Sequence, residues 1–311
     1  MADGFVINDT TYAGEAASQF ILKAITGADT INGGHVYVKD GIKKKFTIPR
    51  WDANYEDFIQ DRTAMPTVGS GQMTVDAVDL EPADYMIFAT FNPRDFEDQW
   101  YATQLNPTLI DRALPATVES VVVQGVLARH AKYFNKAIWN NDSSLSTIYK
   151  YFDGLVKKVK VASTAASTNV VGTTLTVSNI QAELKKCYDK ITPELRYDPS
   201  MKFFCSYATY DLYAQSQINQ TYKGVDTTKE GVPTFKGRTL VKIADFPDDT
   251  IIVAKGTAGM DSNLWVGLNS VADEGLQLAR LRPEGELFFI KMLMKADVQV
   301  GWGSETVYYG A

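Results

Sequence analysis

Phe288-Phe289-Ile290-Lys291-Met292-Leu293-Met294-Lys295-Ala296-Asp297-Val298-Gln299-Val300-Gly301-Trp302 decides how this chain is read. Every even position is apolar, and the odd positions include Lys291, Lys295, Asp297 and Gln299. Apolar residues at period two mark a strand with one buried and one wetter face. At about 3.3 Å per residue it would extend roughly 50 Å, against a usual strand of about 5–6 residues. So long a strand belongs to a sheet spanning a thin, extended body. Gly301, Gly303 and Ser304 turn the chain before a last short strand at Val307-Tyr308-Tyr309.

The strongest helical pattern lies upstream, from Leu114 to Asn140. Pro115 suits its first turn. Val123, Leu127, Ala131, Phe134 and Ile138 form one apolar stripe, and Val118, Val122 and Val126 add a second apolar side. A helix of about 25 residues runs roughly 38 Å, the length of a spine. Residues 10–27 read as a shorter helix. Asp40-Gly41 reads as a hairpin turn joining Val36–Val38 to Ile42–Ile48, with Pro49 ending that strand.

Residues 49–84 carry little core. Asp52, Glu56, Asp57 and Asp61 surround Trp51, Tyr55 and Phe58, and Pro66-Thr67-Val68-Gly69-Ser70-Gly71 has loop composition. With strands at Thr74–Leu80 and Tyr85–Phe91, the segment reads as a long two-stranded arm. An isolated hairpin is marginal in water, so the arm needs a partner surface. Its candidate contacts with a neighbouring subunit are Lys43, Lys44, Lys45, Trp51, Asp57, Asp61 and Arg62. Lysines protecting a solvated strand edge are an equal alternative for Lys43–Lys45.

Residues 162–175 read as a loop, with a second α/β unit beginning nearby. It has a helix over about 178–191 capped by Ser178, a strand Met201–Cys205, and a helix Tyr207–Ile218 capped by Ser206. Strands follow at Thr239–Ile243, Thr250–Ala254 and Leu264–Leu268.

The chain has 311 residues, 45% of them apolar and 22% charged, so it is globular rather than disordered. The net charge of −6 argues against a protein whose main task is gripping nucleic acid. Cys187 and Cys205 fall in apolar registers and read as buried reduced thiols. His35 and His130 lie in unrelated contexts, which leaves no four-ligand zinc set. The N-terminus lacks a signal-peptide pattern, and no stretch approaches a membrane span. There is no phosphate-cradling loop and no GxSxG elbow. Asp248-Asp249 and Asp273-Glu274 read as turn chemistry, and the Asp52–Asp61 run lacks the pattern of a calcium loop. No catalytic residue, metal site or cofactor is expected.

The order of parts then carries a resemblance. A short N-terminal arm with Tyr12-Ala13-Gly14-Glu15-Ala16 precedes a long hairpin excursion, a spine helix, an inserted α/β unit and a long terminal strand. Phe235-Lys236-Gly237 leads through Phe246-Pro247 to Ile251-Ile252-Val253. Asn263-Leu264-Trp265-Val266-Gly267 and Glu286-Leu287-Phe288-Phe289 running to Val298-Gln299-Val300 complete the pattern. In these features the chain resembles the major capsid proteins of tailed bacteriophages, an α+β architecture known as the Hong Kong phage-type capsid fold. The resemblance implies an N-terminal arm (1–39), an extended loop lying over an adjacent subunit (40–90), a peripheral domain with spine helix and long sheet (91–155 and 285–311) and an axial domain (156–284). It also implies hexamers and pentamers of this chain in an icosahedral shell around double-stranded DNA. A portal and scaffold or decoration proteins would be partners. Assembly would take place in the bacterial host cytoplasm and the product would reside in the virion. No covalent crosslink is expected. The alternatives are an encapsulin-like compartment shell, another head–tail or tail component of a virion, and an enzyme.

Overall fold

The structure is a computed structural model that describes residues 10–12, 28–53, 62–65, 73–92, 116–219, 233–269, 276–280 and 287–310. Its organising element is the strand β13 (Phe288–Val300). Ile290, Met292, Met294, Ala296, Val298 and Val300 are all at most 4% exposed, as the alternation requires. One edge of β13 pairs antiparallel with β5 (Ala83–Phe91), from Phe288 opposite Phe91 to Ala296 opposite Ala83. The other edge pairs with β12 (Leu276–Arg280) and β11 (Leu264–Leu268), laid end to end. Ala296 pairs with both Ala83 and Leu268, which puts β5 and β11 on opposite edges. β1 (Thr10–Tyr12) lies beyond β12, and β2 (Tyr37–Lys39) runs parallel to β11.

Several expectations change here. Thr10–Tyr12 is a strand, where a helix over 10–27 was expected; the remaining residues of that helix lie outside those described. Gly41 takes φ +79°, but the bend falls at Lys43-Lys44 and the strands on either side do not pair. β2 joins β11, where Tyr37 meets the edge of Trp265 at 4.6 Å, and the Ile42 amide donates to the Leu268 carbonyl at 3.0 Å. A tertiary aromatic contact overrides a local turn signal. Likewise β5 is not part of the arm, because the apolar edge of β13 captures it.

Above the even face of β13 lies α2 (Ala116–Asn140), with α1 (Asp29–Asn32) at its C-terminal end. Val123, Leu127, Phe134 and Ile138 are buried in one core with the even residues of β13, and Ala131 is buried as well. Trp139 is fully buried, and its indole N–H donates to Thr30 Oγ1 at 2.8 Å. α3 (Leu155–Ala165) follows, with Leu155 and Val159 in the same core. The loop expected from residue 162 therefore starts later. The intervening loop is stapled by Lys157, which reaches Asp142 at 2.7 Å and Asp153 at 2.8 Å. Gly154 is required there, since a Cβ would sit 2.5 Å from the Trp139 carbonyl oxygen.

The staple predicts an acid-sensitive loop. Hydrogen bonds from Lys157 and then from Ser144 hold the Asp142 carboxyl down at about 2. A carboxyl depressed in the folded state contributes stability that is full above its ordinary range and lost as pH falls toward the folded value. Amide exchange in residues 142–153 should accelerate as pH drops from about 4 to about 2, beyond the intrinsic change. In Lys157→Met that extra acceleration should vanish.

The second sheet has the order β6 (Val170–Val171), β14 (Val307–Gly310), β10 (Ile251–Lys255), β7 (Met201–Ser206), β9 (Arg238–Ile243), β8 (Thr234–Phe235). On one face, Met201, Phe203 and Val253 pack with Leu184 and Cys187 of α4 (Ile180–Lys190) and Tyr213 of α5 (Tyr207–Ile218). On the other, Phe204, Ile252 and Ala254 join the core around Trp139. Ser206 caps α5 as expected, accepting from the Thr209 amide at 3.2 Å. Ser178 does not cap α4; that place falls to Asn179, while the Ser178 hydroxyl meets Thr176 Oγ1 at 3.0 Å. Both cysteines are free and buried, and burial pushes the Cys205 thiol up to about 12.

Strand pairing does not follow the sequence boundary at 284. β11 and β12, inside the segment 156–284, join the long sheet. β14, inside 285–311, joins the second. The apolar pattern marks β11 and β14 as strands without naming the sheet that takes them.

Candidate assembly surfaces

The arm is a bare ladder. β3 (Phe46–Ala53) pairs antiparallel with β4 (Met73–Leu80), from Phe46 opposite Leu80 to Ala53 opposite Met73. No third strand joins them among the described residues. β3 passes through Pro49, expected to end it, because a strand at a sheet edge accommodates a residue without an N–H. Eight residues span roughly 26 Å.

The root is anchored on the odd face of β13. Leu80 is fully buried against Gly267, where an added Cβ would lie 2.5 Å from Leu80 Cδ2. Phe46 stacks on Trp265 at 6.2 Å. Gln299 Nε2 donates to the Asp79 carbonyl at 2.6 Å. Arg50 pairs with Asp76 and donates to the Gly301 carbonyl at 3.3 Å. At the centre is Asp297, only 5% exposed. It accepts from the Glu81 amide at 3.0 Å and from Lys158 Nζ at 2.9 Å. Burial raises its carboxyl above the usual range, with Lys158 pulling the other way. The odd face of β13 is thus not uniformly wet: where the arm leaves, it carries a buried ion pair tying arm, long strand and α3 together.

Of the residues expected to meet a neighbour, Lys43 and Lys44 are exposed at the root. Lys45 is bound within the arm, to Asp79 at 2.5 Å and Glu81 at 3.8 Å. Trp51 lies on β3 opposite Val75. Arg62 is exposed. Asp57 and Asp61 lie outside the described residues. The structure gathers Lys43–Lys45 at the root and places Trp51 further along the ladder. Sequence reasoning missed Arg50, Asp76, Lys158, Asp297 and Gln299 as anchors. The one local signal was a carboxylate at 297 amid a strongly apolar strand.

Further along the odd face the sheet is apolar and open. Met86 is 51% exposed, Phe88 50% and Leu293 38%. Leu293 is the register partner of Met86, and Phe88 stacks on Phe289 at 5.6 Å. The Lys295–Asp84 pair, 3.1 Å apart, borders this patch. Lys291, the register partner of Phe88, lies among them. Exposed apolar side chains grouped in this way mark an interaction surface.

Among the described residues the titratable side chains singled out in the sequence are placed as follows. His35 lies 3.4 Å from Lys202 Nζ, and burial, with Lys202 adding to it, lowers its pKa to about 4. His130 is buried with Nε2 3.1 Å from the Tyr85 hydroxyl. Asp249 accepts from the Leu175 amide at 2.7 Å with φ +54°, as turn chemistry requires. Asp273 and Glu274 lie outside the described residues. Among the described residues no group of three or more His, Cys, Asp and Glu side chains is placed to hold a metal ion. Nor is any helix among them long and apolar enough to cross a membrane.

No family model matches the chain, and no curated protein matches it. Solved structures do. A chain of the satellite phage P4 procapsid, which includes the size determination (Sid) protein, is 10% identical with a TM-score of 0.61, over 97% of this chain and 92% of that one. A chain from the capsid of the empty GTA particle is 10% identical with a TM-score of 0.57, over 90% and 88%. One from Mycobacterium phage Adephagia is 12% identical with a TM-score of 0.54, over 91% and 90%. The architecture is therefore the α+β capsid fold of phage shells.

Proposed function

We propose that this chain is a major capsid protein whose hexamers and pentamers close into an icosahedral head shell around double-stranded DNA. The observation that carries this reading is the β3–β4 ladder, anchored firmly at its root and joined by no third strand among the described residues. Such a ladder is stable when it lies on another copy, and the open patch of Met86, Phe88, Phe289 and Leu293 offers that copy an apolar landing surface. Likeness in fold to the P4 procapsid and GTA capsid chains supports the same reading. In it, the part of residues 40–90 that precedes β5 forms the extended loop, and β5 belongs to the long sheet. The spine helix and long strand form the peripheral domain, and the bulk of 156–284 forms the axial domain. Lys43, Lys44, Lys45, Trp51, Asp57, Asp61 and Arg62 meet the adjacent subunit. Portal and scaffold or decoration proteins are partners in the host cytoplasm before the shell becomes part of the virion. The chain performs no catalysis.

Removing residues 62–72 tests the arm. The shortened chain should unfold at the same urea concentration as the parent, within error, yet give no closed shells by negative-stain microscopy. Loss of folding would contradict the assignment of this segment to an arm.

A further inference from the structure

From Gln124 to Asn140 every charged side chain on the solvent side of α2 is a cation. Arg129 and Lys132 are exposed and Lys136 half-buried. With 3.6 residues per turn, positions 129, 132 and 136 share one narrow stripe about 10 Å long, on the side of α2 away from buried Phe134 and Ile138. No acidic residue occurs between Glu119 and Asp142. Lys136 Nζ sits 5.2 Å from the centre of the Tyr149 ring, which stacks on Tyr133 at 5.4 Å; this holds the ammonium at the surface. Lys150, next along the chain, is also exposed. A Cβ added at Gly125, one turn before Arg129, would meet nothing within 4 Å, so the front of the stripe is open.

The cations of the stripe lie together on one helix face with no carboxylate among them, whereas elsewhere cations without a carboxylate partner among the described residues, such as Lys43, Lys44 and Lys291, stand beside paired ones. Lys45, Lys157, Lys158, Lys185, Lys186, Lys255 and Lys295 all reach carboxylates. Arg129, Lys132 and Lys150 reach none among the described residues. An ordinary solvated surface intersperses both signs, and the whole chain has a net charge of −6. The stripe also faces away from the sheet surface that carries the arm root and the apolar patch, because α2 packs on the opposite, even face of β13.

We propose that this stripe is the surface on which the subunit holds double-stranded DNA, by its phosphates and without reading sequence. A duplex carries one negative charge per about 1.7 Å of its axis, so three cations along a straight helix meet phosphates in any sequence. The stripe projects no element into a groove, and base-edge readout depends on such an element. The inference rests on the shell reading for its source of DNA, and it makes the α2 face the interior of the tile and the arm face the exterior. One subunit makes few phosphate contacts and binds weakly; a closed shell repeats them many times over.

The test is binding of a fluorescent duplex of about 30 base pairs to the unassembled full-length chain, between about 50 and 200 mM salt. Arg129→Gln/Lys132→Gln/Lys136→Gln should lower affinity about tenfold at the lower salt and flatten the log–log salt slope by about 2–3, at about 0.9 per phosphate contact. Lys43→Gln/Lys44→Gln, which removes charge from the arm face, should leave both unchanged. Circular dichroism checks folding, and Lys132→Gln alone, at an exposed position, should flatten the slope by about 1 should the triple variant not fold. Unchanged binding by the triple variant overturns the proposal. So does tighter binding of poly-glutamate than of duplex at equal charge, which would assign the stripe to an acidic protein. Because the chain is unassembled, a stripe that ignores DNA leaves the shell reading intact. A chain that binds DNA through the stripe but never assembles removes the shell reading instead.

Discussion

Met294→Asp abolishes folding of the subunit. Met294 is 2% exposed, points from the even face of β13 into the core beneath α2, and lies with its sulfur 3.8 Å from the Tyr85 hydroxyl. Losing a buried Met side chain costs about 2–5 kcal/mol. An unpaired carboxylate in its place adds several more. The sum is comparable to the whole stability of a typical domain, about 5–15 kcal/mol. The control is one residue away: Leu293 is 38% exposed on the opposite face, and Leu293→Lys should change stability by no more than about 0.5 kcal/mol. Soluble yield and urea unfolding report both. Equal tolerance of the two substitutions would overturn the register of the long strand. Leu293 is a cleaner control than Gln299, whose amide holds the arm through the Asp79 carbonyl.

The second large effect is at the arm root. Lys158→Met leaves Asp297 as a buried charge without its cation, and removing one partner of a buried pair costs about 3–5 kcal/mol. Lys158→Met/Asp297→Asn removes the charge while keeping an acceptor for the Glu81 amide, and should recover most of the loss. Urea unfolding measures the stability, and amide exchange over 46–53 and 73–80 locates the loosening at the arm. If Asp297 acts only as a general core residue, the double variant should be no better than the single one.

How much of this was legible beforehand follows from the range of each interaction. The long strand and the spine helix were readable because their signals are local: apolar residues every second position over 288–300, and Val123, Leu127, Ala131, Phe134 and Ile138 on one helical stripe. The Ser206 cap is local too, since donor and acceptor are three residues apart. The hairpin expected at Asp40-Gly41 failed because the partner of β2 is β11, more than 200 residues away, and Tyr37 on Trp265 outweighs the turn. β12 was missed because Gln277 and Arg280 interrupt its apolar residues, whereas the equally short β11 is apolar throughout. The expected contact residues carried the exposed charges of the arm, yet the anchors that orient it were out of reach. Lys158 and Asp297 stand 139 residues apart and Arg50 and Gly301 251 apart, and nothing in the local sequence pairs them.

The account stands on assembly, and electron microscopy of the purified full-length chain, alone and co-expressed with a scaffold protein, tests it most directly. Closed shells or rings of hexamers and pentamers, with the β3–β4 ladder of one subunit lying across Met86, Phe88 and Leu293 of the next, are the predicted result. A chain that stays a folded monomer under every assembly condition, scaffold included, would contradict it.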